Sequence, residues 1–201
     1  MAETTVVHLL RHGEVHNPDG ILYGRLPGYH LSANGRAMAA AAADFFSERM
    51  IASVYASPLT RAQETAQPVA DRHELPIITD EQLIESGNVL EGTAVSLKRL
   101  ALNPANWRYL WNPFTPSWGE PYAEIAARMT TAVDKARARG AGHEVVCVSH
   151  QLPVWTLRLH LTGKRLWHDP RRRECGLASV TTLVYDGDRL VDVEYFQPAG
   201  A

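Results

Sequence analysis

The chain has 201 residues, of which 45% are apolar and 21% charged, and a net charge of −2 with its nine histidines counted neutral. Those values fit a soluble globular protein with one substantial core. They give no global attraction to nucleic acid or to an anionic membrane, so an anionic partner needs a local cluster of positive charge. Only two cysteines occur, Cys147 and Cys175, which argues against a disulfide framework and fits a reducing compartment. The opening residues Met-Ala-Glu-Thr-Thr do not read as a signal peptide. No apolar run reaches the roughly 20 residues that span a bilayer, so a cytoplasmic protein is expected.

In chain order, the β-branched and apolar run Thr5–Leu10 predicts a buried strand ending at Arg11-His12-Gly13. A loop rich in Gly, Pro and Asn follows, from Asn17 through Gly28. Ser32 is placed to cap a helix running to about Arg49, with the alanines 39–43 as helix filler. Ser53–Ala56 predicts a second strand. Pro58 falls where the first turn of a helix tolerates it, and that helix carries Arg61, Glu64 and Thr65. Ile77–Thr79 reads as a third strand, and 80–92 as an acidic loop. Residues 93–118, with three tryptophans (Trp107, Trp111 and Trp118) and three prolines, read as a small cap inserted in a single domain spanning 1–201.

Glu120–Arg139 predicts a long helix stopped by Gly140, and Glu144–Ser149 a buried strand with Cys147 as a small apolar filler. Gln151–Thr162 predicts a further helix. Ser179–Tyr185 and Arg189–Phe196 flank Asp186-Gly187, a strong hairpin signal. Strands alternating with helices imply an α/β three-layer sandwich, its mostly parallel central sheet covered by helices on both faces and ending in an antiparallel edge hairpin. In such sheets sites gather where strand ends meet helix starts. His12 and His150 each stand directly after a predicted strand.

Arginine beside histidine in Arg11-His12-Gly13-Glu14 suits phosphate chemistry. A guanidinium forks onto two phosphate oxygens, and a neutral imidazole can attack phosphorus. Nearby arginines disfavour the imidazolium, and Gly13 permits close backbone approach to an anion. Arg61 in the first turn of a helix opposes the helix dipole and calls for an anion nearby. Ser149-His150-Gln151 repeats the geometry of the first site. Singly, each segment also reads as a core histidine or a solvated arginine.

Taken together, the three segments resemble the signature of the histidine phosphatase superfamily, the phosphoglycerate mutase-like proteins. The resemblance runs from Val7 to the terminal hairpin and includes Leu31-Ser32-Ala33-Asn34-Gly35 and Gly119-Glu120. It implies that His12 is phosphorylated, and that Arg11, Arg61 and His150 hold the phosphoryl oxygens. It implies a glutamate after a Leu-x pattern as proton donor, which Leu83-Ile84-Glu85 matches, with Glu81 and Glu91 as competitors. Asn17, three residues after Glu14 where the family has its asparagine at four, and Gln151, where a glycine or alanine is usual, are further phosphate-binding candidates. Val15 replaces the usual threonine or serine. The reaction implied is metal-independent, cofactor-free hydrolysis of a small phosphomonoester, with phosphoglycerate mutase-type transfer as the alternative.

Tyr23, Gly24 and Arg25 are candidate specificity residues. Lys98, Arg99, Arg108 and the run Arg171–Arg173 are others, each also readable as solvated charge. Two other classes compete. His12 and His16 with Glu14 between them invite a metal hydrolase, but a zinc protease needs H-E-x-x-H on a helix, and His16 lies in a Gly/Pro loop. A non-catalytic binding module would be expected to have lost a reactive group, and none is lost here.

Overall fold

A computed structural model describes residues 3–89, 91–93 and 119–200. Six strands form one sheet: β1 (Thr4–Arg11), β2 (Ile51–Ala56), β3 (Ile77–Thr79), β4 (Glu144–Ser149), β5 (Val180–Asp186) and β6 (Arg189–Phe196), in the order β3-β2-β4-β1-β5-β6. The pairs β3–β2, β2–β4 and β4–β1 are parallel, and β5 and β6 add antiparallel pairs at the edge. The expected α/β sandwich with a C-terminal hairpin is therefore observed. The turn at Gly187 has φ +59°, a conformation glycine adopts without a side-chain clash.

Alternation along the strands sorts the core into two layers. Val145 and Cys147 of β4 face one side, with Val7 and Leu9 of β1. There they meet Ile125, Met129 and Val133 of helix α3 (Tyr122–Arg139) and Leu157 of helix α4 (Gln151–Leu161). Val146 and Val148 face the other side, against Ala42 and Phe46 of α1 (Ala33–Phe46) and Ala62, Ala66 and Val69 of α2 (Thr60–Arg72). The alanines are thus more than filler, because Ala39, Ala42 and Ala43 are buried and let α1 lie close to its neighbours. Each fully buried Val or Leu contributes about 1.5–3 kcal/mol relative to exposure.

Element ends differ modestly from expectation. Helix α1 stops at Phe46, and α3 starts at Tyr122 after Pro121. Pro58 lies outside α2, whose cap is Leu59; the hydroxyl of Ser57 accepts the Leu59 N–H at 3.4 Å and makes Ser57-Pro58 a turn. The acidic stretch contains a short 3-10 turn, Glu81–Leu83, capped by Asp80. The cap expected at 93–118, with Lys98, Arg99, Arg108, Trp107, Trp111 and Trp118, lies outside the described residues except for Thr93.

Candidate active site

Strand pairing brings the two histidines together. In the parallel β1–β4 pair, Arg11 is level with Ser149, so the next residue of each strand leaves the sheet at the same height. The His12 N–H donates to the Ser149 carbonyl at 3.1 Å, and the two imidazoles lie 5.1 Å apart between centroids. Both are buried.

The tautomer of His12 follows from its partner. Nδ1 lies 2.8 Å from the Gly13 carbonyl oxygen, which can only accept, so Nδ1 carries the proton and Nε2 keeps its lone pair. Burial first, then the charges of Arg61 and Arg11, hold the His12 pKa down at about 3. The hydrogen bond that His12 donates to the Gly13 carbonyl pulls the other way and loses. At neutral pH this imidazole is unprotonated, the form in which an imidazole can attack electrophilic phosphorus. His150 is also pushed well below the usual histidine range by burial, and then by neighbouring His12 and the arginines. Its Nε2 is 2.8 Å from the Ser57 hydroxyl, while its buried Nδ1 has no partner among the described residues.

These depressed values carry a stability consequence. Above pH 6.5 neither the folded nor the unfolded chain protonates His12. As pH falls from 6.5 toward 3, the unfolded chain takes up a proton that the folded chain refuses. Stability should therefore drop by about 1.4 kcal/mol per pH unit on account of His12 alone. Denaturant melts of wild type and His12→Gln between pH 7 and 4 check this, and the variant should show the shallower acid loss.

A cavity of about 340 Å³ opens in front of His12, at the small end of the range for small-molecule sites. Arg11, Tyr23, Gly24, Glu85, Gln151 and Arg173 are among its lining residues. Arg61 and His150 stand behind this lining and are not part of it. Arg61 is 1% exposed; its Nη2 donates to the Gly24 carbonyl at 2.6 Å, and its guanidinium lies 4.7 Å from the centre of the Tyr23 ring. Arg11 donates from NH1 to the Cys175 carbonyl at 2.7 Å. The Nε atoms of Arg11 and Arg61 are buried and have no partner among the described residues. Helix α4 begins at this cavity with no side-chain cap on its first amides, an arrangement that favours an anion.

Of the three candidate acids, Glu85 alone lines the cavity. Burial raises its pKa against the opposing pull of Ser86 hydrogen bonds and the Arg61 and Arg11 charges. Its Oε1 accepts the Ser86 N–H at 2.8 Å, and its own carbonyl accepts from Arg25 Nε at 2.6 Å. Glu81 is exposed on its 3-10 turn, and Glu91 Oε1 accepts the Asn88 N–H at 3.2 Å.

Several expected ligands stand elsewhere. Asn17 does not line the cavity: its amide donates to the Ile21 carbonyl and accepts the Ile21 N–H, closing its own loop. Arg25 also lies off the cavity lining, donating to the Glu85 carbonyl and pairing with Glu120 at 2.9 Å, so it braces the backbone that carries Glu85. Gly13 serves packing: its N–H donates to the Thr65 hydroxyl, and a Cβ there would come 2.6 Å from the Gly35 carbonyl oxygen. A Cβ on Gly35 would collide with the Glu14 carbonyl oxygen. Glu14 receives the Ser32 hydroxyl at 2.5 Å and Asn34 at 3.1 Å, locking the start of α1.

His12 and Glu14 are engaged separately, with Gly13 and with Ser32 and Asn34. Among the described residues no group of three or more His, Cys, Asp or Glu side chains is placed to hold a metal ion. Sequence reasoning did not single out Ser57, or Arg173 within its run. Ser57 directly follows β2, and its N–H donates to the Val148 carbonyl of β4, the strand that leads into His150, a proximity visible only once β2 and β4 are known to pair.

The model of the histidine phosphatase superfamily (branch 1) matches residues 7–197. The chain belongs to that superfamily. This histidine phosphatase superfamily member is 72% identical over 200 residues to the uncharacterized protein Rv0525 of Mycobacterium tuberculosis, covering 99% of each chain. It is 32% identical to the probable phosphoglycerate mutase GpmB of Yersinia enterocolitica, covering 87% of this chain and 83% of that one. Among solved structures it is similar to Bacillus stearothermophilus YhfR, with a TM-score of 0.78 and 28% identity, covering 93% of this chain and 94% of that one.

Proposed function

We propose that this superfamily member is a phosphomonoester hydrolase that forms a phosphohistidine on His12 and acts on a small phosphorylated metabolite. The observation that carries this reading is the Nδ1–H bond of His12 to the Gly13 carbonyl, which leaves a neutral Nε2 beside two arginines. Nε2 attacks phosphorus as the ester oxygen departs, and the N–P bond forms as the P–O bond breaks. Arg11 and Arg61 take the equatorial oxygens with their unpartnered Nε–H groups. With the Ser57 hydroxyl donating to Nε2 of His150, the proton of His150 sits on the unpartnered Nδ1 and serves a third oxygen. Glu85, whose pKa burial raises, gives a proton to the leaving oxygen. The resulting carboxylate then takes a proton from water as that water attacks the phosphohistidine, which returns His12 and releases phosphate. Two buried free thiols, with Cys175 pushed up to about 11, suit a reducing cytoplasm.

The likeness to the probable mutase GpmB favours a second reading, phosphoryl transfer between two positions of a sugar acid. A mutase must shield its phosphohistidine from water and hold a doubly phosphorylated intermediate. Family mutases carry a long basic segment for this purpose. Here residues 94–118 supply only Lys98, Arg99 and Arg108, which favours hydrolysis. The experiment supplies 3-phosphoglycerate with catalytic 2,3-bisphosphoglycerate and follows 2-phosphoglycerate and free phosphate. Phosphate release is expected, and efficient isomerisation with little phosphate would overturn hydrolysis. Activity on p-nitrophenyl phosphate should survive exhaustive chelation, because Arg11, Arg61 and His150 already stabilise the charge that a metal would otherwise meet. Recovery that depends on added zinc or magnesium would argue for the metal reading instead.

A further inference from the structure

Arginines away from the open surface are mostly paired. Arg49 meets Glu144, Arg128 meets Glu120, Arg137 meets Asp134 and Asp188, and Arg158 meets Glu174. Arg11, Arg61 and Arg173 are also buried or half-buried, yet none has a carboxylate partner among the described residues. Residues 94–118 contain no aspartate or glutamate that could serve. The proposed reaction gives Arg11 and Arg61 a phosphoryl group to hold. It gives Arg173 nothing.

Arg173 follows the 3-10 turn Pro170–Arg172 and lines the same cavity as His12 and Arg11. It is held in place from two sides. Its Nε–H donates to Nε2 of His168 at 2.8 Å, and His168 presents that lone pair because its Nδ1–H is given to the Leu166 carbonyl at 2.7 Å. The NH1 of Arg173 reaches the side-chain oxygen of Gln151 at 3.4 Å. All of these partners are neutral, so they orient the guanidinium without cancelling its charge. Burial lowers its pKa from the usual arginine value, against smaller opposing pulls from Tyr122 and Glu85, and the like charge of Arg11 adds a still smaller lowering. Two guanidinium groups on one small cavity repel each other until an anion stands between or beside them.

We propose that Arg173, oriented by His168 and Gln151, forms a second oxyanion subsite, and that the substrate is a phosphomonoester carrying another anionic group, either a carboxylate or a second phosphoryl. This inference rests on the hydrolase reading above. The size of the cavity places both anionic groups on one small molecule. Arg171, by contrast, is spent on Asp169 at 2.8 Å on the surface.

The test measures kcat/KM on matched pairs: 3-phosphoglycerate against glycerol 3-phosphate, and 1,3-propanediol bisphosphate against propyl phosphate. Wild type should prefer the doubly anionic member of at least one pair by about 10- to 100-fold, the worth of a charge-assisted bidentate contact. The pair that shows the preference identifies the group as carboxylate or phosphoryl. Arg173→Gln should collapse that ratio toward one. Arg173→Lys should keep part of it, since a point charge remains without the planar fork. A wild-type ratio near one in both pairs, or a ratio unchanged in Arg173→Gln, would overturn the subsite. If Arg173→Gln does not fold, the wild-type ratios and Arg173→Lys decide. Turnover of p-nitrophenyl phosphate without any preference defeats the subsite alone, whereas no turnover of any phosphoester defeats the hydrolase reading and the subsite together.

Discussion

His12→Ala should reduce kcat by at least about ten-thousandfold, the scale seen when a covalent nucleophile is removed from an enzyme. The remaining arginines would still bind phosphate, but no group stands in for Nε2. His150 sits 5.1 Å away between ring centroids, with its Nε2 engaged by Ser57 and only Nδ1 unpartnered. The fold should persist, because backbone pairing of β1 with β4 holds this position and the imidazole contributes only one local hydrogen bond. Steady-state assay with rapid quenching in base provides the check. Wild type should carry an acid-labile, base-stable phosphate on His12, and the variant none. Residual turnover within a few fold of wild type would remove His12 from the mechanism.

The second large effect is expected at Glu85. Glu85→Gln should slow alkyl phosphates by about 10²–10⁴-fold, the usual contribution of general acid catalysis. It should slow p-nitrophenyl phosphate much less, because nitrophenolate departs without a proton. The pH dependence gives an independent sign. Glu85 must be protonated to act as the acid, so kcat/KM on an alkyl ester should fall as pH rises through its elevated pKa. His12 must be neutral, so the acid limb attributable to it lies near pH 3. Substrate ionisation is common to wild type and variant, so the limb that disappears in Glu85→Gln belongs to the carboxyl. Equal losses on alkyl and nitrophenyl esters would point to another acid, with Glu91, whose carboxylate is nearest the cavity loop at Gly24, the next to replace.

Much of this candidate site is legible in the sequence alone. Apolar runs that stop at a charged or polar residue announce strand ends, and Arg11-His12 and Ser149-His150 both stand at such stops. The terminal hairpin follows from Asp186-Gly187 and the alternation on either side. What stayed hidden depends on which distant segments meet. Asn17 carries the right chemistry for an anion, yet its local turn consumes both ends of its amide. Arg25 and Arg173 look alike in the sequence, as cations in irregular stretches. One is neutralised by Glu120, and the other is left facing the cavity by the path from α4 to β5. The Gly13 reading failed for a related reason, since the object that needs the missing side chain is another stretch of this chain.

That contact between Gly13 and Gly35 sets the mechanical tolerance of the whole centre. Main chain rests on main chain where the segment just after the first strand meets the start of α1, with no flexible group between them to absorb a displacement. A methyl added at either glycine has no soft neighbour to push aside, so the displacement passes along the backbone to His12 itself. Side chains around the cavity can then be exchanged, by drift or by design, without shifting His12. Its position is referenced to a hard stop, so the walls can be rebuilt while the imidazole stays in register.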